Sequence, residues 1–252
     1  MKLLEACAGE NQSWSQAGRA LGYECTTLDW NTKIPNIDLY QDVRTFEPTE
    51  DYDVVCCSPD CREISRARSK KGDQAYADEV GEACVRLCLR AAARGGIGIL
   101  ENPQGALERR PFMREYEGLK HKIDYCMWSG ERPTNYKPSP AGKQDLGDWF
   151  PMRKRTNIWV FGPTEWLPSR PLCSRCTPCG WTVDSGAPRR ASGAGSGAGR
   201  GRHLAWAQHA PPKEQAEECC RHCLPYALNS QQLHRIPFKL CTELIGFKNL
   251  IL

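Results

Sequence analysis

The sequence predicts an α/β fold: a mainly parallel sheet with both faces covered, then a small, irregular, cysteine-rich C-terminal part. Two observations carry this. Over the first 130 residues, short apolar runs alternate with segments of helical period, the pattern of strand–helix–strand units. Beyond residue 162 that alternation gives way to clustered Cys, Gly, Ser and Arg.

The elements follow in order. Residues 2–7 (KLLEAC) form an apolar run that stops at Ala8-Gly9. Gln12 to Gly22 reads as a helix, with Trp14, Ala17, Ala20 and Leu21 on one face and Gly22 closing it. Tyr23 to Leu28 is rich in strand formers and ends at Asp29, and Asp38 to Tyr40 gives a short third strand. Val54 to Cys57 (VVCC) is followed at once by Ser58-Pro59-Asp60. Asp73 to Arg94 is the clearest helix, with Ala77, Val80, Cys84, Leu87, Cys88 and Ala91 on one face and Gly95-Gly96 at its end. Ile97 to Leu100 is a strand stopped by Glu101-Asn102-Pro103, and Asn157 to Phe161 is a later strand. Residues 130–153, with four prolines, read as a long surface loop. Residues 185–203 (SGAPRRASGAGSGAGRGRH) are of low complexity and are expected to be disordered. The change of pattern predicts a division into an α/β domain at 1–162 and a small C-terminal capping region at 163–252.

Composition narrows the class. The 252 residues carry 34 Lys and Arg against 30 Asp and Glu, a formal charge of +4 that permits a nucleic-acid partner without requiring one. The 15 cysteines are about 6% of the chain, below the share of a small disulfide scaffold, and an odd number excludes full internal pairing. No run reaches the length of a membrane span, and the opening MKLLEACAGENQ holds too short an apolar stretch for a signal core. A reducing, intracellular compartment and a monomer with no membrane partner are expected.

Ligands of parallel sheets bind beyond the carboxyl ends of the strands, so the residues after each strand are the candidates. Gly9 after the first strand lets backbone approach a ligand, and Asp29 after the second suits ribose hydroxyls. The turn lacks further glycines of a dinucleotide fingerprint, so a nucleoside without a diphosphate fits better. Trp30 could lie on an adenine face, and Asp42 could accept from its amino group; the alternative is a plain tight turn and a helix cap. In SPDC, Ser58 to Cys61, a thiol stands on an exposed strand-end loop followed by Arg62, Arg66, Arg68, Lys70 and Lys71. Glu101 ends a strand that reads as buried, where desolvation favours a protonated carboxyl able to donate to a ring nitrogen; its alternative is a structural cap. Arg153 to Arg155 (RKR) enters the last strand.

In this order and spacing, Gly9/Asp29/Asp42, SPDC, ENP and R-x-R resemble the cytosine-5 DNA methyltransferases. SPDCREISRARS, ENPQGALERRPFM, YCMW, RKRTNIWVF and LHRIPFKLC look closest to compact phage- and giant-virus-type members. The resemblance implies a Rossmann-like fold using S-adenosylmethionine, lined by Ala8, Gly9, Glu10, Asp29, Trp30, Asp42, Ser58 and Pro59. It makes Cys61 the nucleophile toward C6 of a flipped cytosine in DNA and Glu101 the group that holds N3 and the amino group. Arg155, with Arg153, would steady Glu101 and the base. The family usually has Pro-Pro-Cys; Asp60 stands at the second Pro, where a carboxylate is expected to raise the thiol pKa and loosen the turn. Glu10-Asn11 also interrupt the glycine-rich turn. An impaired, nucleic-acid-binding relative and an RNA cytosine methyltransferase are the alternatives.

In the tail, Cys173-x2-Cys176 and Cys220-x2-Cys223 have the spacing of a structural zinc site, alternatively unrelated thiols. Trp181, Arg189, Arg202 and Trp206 are candidates for helping to read the target.

Overall fold

The computed structural model describes residues 1–64, 72–105, 107–128, 154–163, 166–169 and 236–247. Its centre is β1 (Lys2–Ala6), flanked by β2 (Glu24–Asp29) and β4 (Val54–Cys57). With β3 (Leu39–Tyr40), β5 (Ile97–Pro103), β6 (Lys120–Asp124) and β7 (Arg155–Phe161) these strands form one sheet of order β3-β2-β1-β4-β5-β7-β6. The first five are parallel, and β7 runs antiparallel between β5 and β6. This is a Rossmann-like α/β sheet. The order reverses at β1, so the crevice outside the carboxyl ends of β1 and β4 is the natural ligand position.

The strand pleat sorts the side chains onto two cores. On one face, α1 (Ser13–Ala20) and α3 (Phe238–Phe247) pack together over Leu3, Val54, Cys56, Ile97, Ile99 and Ile158. On the other, α2 (Gln74–Ala93) covers Leu4, Val55, Cys57, Leu100 and Trp159. Asp73 caps α2 by accepting from the Tyr76 N–H at 3.0 Å, and Gly95, at φ +76°, ends it. Although α3 lies within 163–252, it belongs to the sheet's own layer: Leu240, Leu244 and Ile245 are buried, and Tyr23 donates to the Ile245 carbonyl. Among the described residues no helix is long and apolar enough to cross a membrane.

Helix α1 has no capping side chain at Gln12. Glu5 of β1 substitutes: its Oε1 accepts from the Trp14 N–H at 3.2 Å and its Oε2 from the Ser15 N–H at 2.8 Å. Burial nevertheless dominates and raises the Glu5 carboxyl to about 7, against these stabilising donors. The folded carboxyl thus binds its proton more tightly than the unfolded one. Its contribution is complete below the ordinary value of 4.5 and is lost as pH rises through about 7. Between pH 5 and 8 this group alone should cost about 2–3 kcal/mol of stability. Urea unfolding across that range should show a flatter pH slope for Glu5→Gln than for the wild type; equal slopes would exclude the effect.

Candidate active site

The carboxyl ends of β1, β2, β4 and β5 share one rim. Ala8 is buried, and its N–H donates to the Leu28 carbonyl at 3.2 Å, so the chain leaves β1 still tied to β2. Gly9 then takes φ +60°, and a Cβ there would stand in open space with nothing within 4 Å. Only glycine adopts that conformation without strain, and the bare backbone leaves room for a ligand. The Gly9 N–H donates to Asp29 Oδ2 at 3.0 Å, and the Asn31 N–H to Oδ1 at 2.9 Å, which fixes the buried carboxylate at the crevice. Trp30 is 61% exposed beside it, and Glu10 is exposed.

Asp42 lies beyond β3, held by Arg44: the Arg44 N–H and Nε donate to Oδ1, and Nε and a terminal nitrogen donate to Oδ2. Arg44 keeps the Asp42 carboxyl below the usual range, pairs with Glu79 of α2 and stacks on Tyr76 at 4.6 Å. Asp42, the candidate acceptor for an adenine amino group, is thus held in place by Arg44. An arginine two residues from an aspartate was the available signal.

After β4 the Cys loop is braced from two sides. The Trp14 indole N–H donates to Ser58 Oγ at 3.1 Å, and the Asn102 amide donates to the Pro59 carbonyl at 2.9 Å. This places SPDC directly against ENP on neighbouring strands. Asp60 does not loosen the turn. Its Oδ1 accepts from the Arg62 N–H at 2.8 Å, and its carboxylate pairs with the Arg62 guanidinium, so it caps the short 3-10 turn Arg62–Ile64. Glu63 accepts from the Asp73 N–H at 2.8 Å and ties that turn to the start of α2. Cys61 is half-buried. Burial, then Asp60 and Glu101, push its thiol up, while Lys154 draws it down.

The sequence pattern ends the strand at Leu100 and puts Glu101 and Asn102 after it. They lie within it, because β7 pairs as far as Pro103, with Glu101 opposite Ile158. Glu101 is 5% exposed. The Tyr125 hydroxyl donates to its Oε1 at 2.5 Å, and Lys154 Nζ lies 4.0 Å from the same oxygen. Arg155 has another partner: its guanidinium donates to both oxygens of the buried Asp124, at 3.1 and 3.0 Å. The pleat explains this. Glu101 and Ile158 share the α1/α3 face, so Lys154 and Thr156 fall on it and Arg155 falls on the opposite one. Tyr125 and Lys154 were missed by the sequence reading.

Cys7, Cys25, Cys56, Cys57, Cys84, Cys88 and Cys241 are free thiols; all but Cys7 and Cys25, which are half-buried, are fully buried. Arg153, Cys173, Cys176, Cys220 and Cys223, the target-reading candidates and the 185–203 insert lie outside the described residues. Among the described residues no group of His, Cys, Asp or Glu is arranged to hold a metal ion.

No family model matches the chain. Over 175 residues, 64% of this chain and 70% of the relative, it is 25% identical to a Frog virus 3 (isolate Goorha) protein named as a probable DNA (cytosine-5)-methyltransferase. Among solved structures, S. pombe Dnmt2 methyltransferase is 12% identical with a TM-score of 0.44, covering 100% of this chain and 99% of that one. A Spodoptera frugiperda DNMT2 variant is 14% identical with a TM-score of 0.42, covering 98% and 99%.

Proposed function

We propose that the chain is an S-adenosylmethionine-dependent methyltransferase acting on C5 of cytosine in DNA. The observation that carries this reading is the Asn102–Pro59 bridge, which sets the Cys61 loop beside Glu101 at the rim where Gly9 and Asp29 form an open crevice. The Frog virus 3 relative supports the choice of cytosine C5 and of DNA.

The crevice suits the cofactor. The open space at Gly9 accepts a methionine-like chain, Asp29 retains lone pairs for ribose hydroxyls, and the exposed Trp30 ring offers a face to adenine. Ser58 and Pro59 close the crevice on the β4 side. When bound, S-adenosylmethionine supplies an electrophilic methyl group on a sulfonium centre.

The residues of the chain make cytosine reactive. Carbon 5 is a poor nucleophile in the aromatic ring, so the Cys61 thiolate adds to C6 and forms an S–C6 bond. The C5=C6 electron pair is released toward C5 while N3 takes up a proton from the Glu101 carboxyl, which has been protonated from solvent on substrate binding, and the resulting carboxylate accepts from the N3–H and the amino group. After methylation of C5, a base removes the C5 proton, the double bond re-forms, and the S–C6 bond breaks to return the thiolate. The cytosine must leave a duplex stack for this, at a cost of a few kcal/mol. Asp60 pairs with Arg62 and caps its turn, which keeps the loop's geometry, although its charge still raises the Cys61 thiol.

Fluorine at C5 blocks proton loss and traps the covalent stage. Incubation with S-adenosylmethionine and 5-fluorocytosine-containing duplex DNA should give a denaturation-stable protein–DNA adduct that maps to Cys61. An adduct formed only with the RNA of the same sequence would move the substrate to RNA. The absence of any adduct would refute the reading.

A further inference from the structure

Among the described residues, the cation recorded beside Glu101 is Lys154, which the sequence pattern does not single out. Its Nζ lies 4.0 Å from Glu101 Oε1 and 4.7 Å from the centre of the Tyr125 ring, and its side chain is 18% exposed. The ring holds the ammonium from one side, while the Tyr125 hydroxyl holds the carboxylate that the ammonium faces. This packing fixes a flexible side chain at the mouth of the site.

Among the described residues, each charge near Cys61 has a partner. On its own loop, Asp60 is paired with Arg62, both solvent-exposed, so that pair is screened. Glu63 points to the start of α2, where it accepts from the Asp73 N–H. From β5, the buried Glu101 opposes a negative sulfur. From the entry to β7, Lys154 stands 4.0 Å from Glu101, on the strand that the Asn102–Pro59 hydrogen bond ties to the Cys61 loop, and its charge favours the thiolate. Arg155 is on the other face with Asp124.

We propose that Lys154 is a positioning residue of the site: one ammonium serves both the Cys61 thiolate and the Glu101 carboxylate and lets two anions stand side by side. The inference rests on the reading of Cys61 as the nucleophile. Lys154 transfers no group itself. Its charge lowers the cost of forming the thiolate next to a carboxylate, and its position above Tyr125 keeps it from following either anion into solvent.

Alkylation of Cys61 by iodoacetamide, followed peptide by peptide by mass spectrometry from about pH 7 to about pH 11 so that the raised thiol is titrated through its midpoint, tests this without nucleic acid or cofactor. Lys154→Met should move the midpoint of Cys61 alkylation up by about one half to one pH unit. At pH 7.5 this is roughly a three- to tenfold slower reaction. Lys154→Arg should restore the wild-type profile, which a merely structural role would not predict. Lys154→Gln makes the same prediction as methionine if the methionine variant does not fold. Superimposable profiles for wild type and the neutral variant would overturn the assignment, even in a protein that traps fluorocytosine. A shifted profile in a protein that traps none would keep the shared cation and refute cytosine methylation.

Discussion

Cys61→Ser is expected to abolish the fluorocytosine adduct and to lower methyl transfer by at least about 10⁴-fold, with the melting temperature unchanged. The size follows from the chemistry. A serine hydroxyl keeps the shape but is a far weaker nucleophile, and without addition at C6 the ring carbon has no electron pair to offer; loss of a nucleophile is among the most severe single changes to an active site. The unchanged stability follows from the structure. Cys61 is half-buried on a loop, and its local hydrogen bond is made by its carbonyl, which accepts from the Ile64 N–H at 3.2 Å and survives the substitution. The change in stability should stay within about 0.5 kcal/mol. Radiolabelled methyl incorporation into duplex DNA, beside a thermal melt, checks both halves. Methyl transfer retained by the serine variant would exclude covalent catalysis through this residue.

How much of this site was legible depended on what each inference needed. Cys61 and Glu101 are legible as candidates because strand-end residues of a parallel sheet converge, and their strands announce themselves as apolar runs. Lys154 is not, because RKR gives no phase. Which of three consecutive cations faces Glu101 depends on the register of β7 against β5, and a shift of one residue exchanges the faces. The antiparallel pairing that sets this register also carries β5 through Pro103, which the turn-forming Asn-Pro pair concealed. For the same reason β6 escaped notice: KHKID is short and mostly polar, and it is a strand only because β7 supplies its ladder. By contrast β1, α1, β2, β4 and α2 are set by local period and by Gly and Asp punctuation, and those signals were sufficient.

The cysteines of the α2 face have a packing role that leads to the second large effect. Cys7 and Cys84 sulfurs lie 3.9 Å apart, and those of Cys57 and Cys88 4.0 Å, in the layer between the sheet and α2. Small side chains here let the helix come close. At Gly98 of β5 the approach is closest: a Cβ would stand 2.5 Å from the Cys88 Cα and Cβ and 2.7 Å from its carbonyl oxygen. These are mostly backbone atoms, so no rotamer change relieves the clash. Either α2 lifts, separating Leu87, Cys88 and Ala91 from the core, or β5 shifts and carries Glu101 and Asn102 away from the Cys loop. Gly98→Val should therefore cost more than about 4 kcal/mol, beyond ordinary overpacking because the obstacle is backbone. That is a large part of the roughly 5–15 kcal/mol that holds a domain together. Gly105, where a Cβ would meet nothing, gives the control, since alanine there should be tolerated. Equilibrium urea unfolding of both variants is the measurement. A Gly98→Val protein as stable as the Gly105→Ala protein would mean that α2 does not press on β5 as closely as this packing requires.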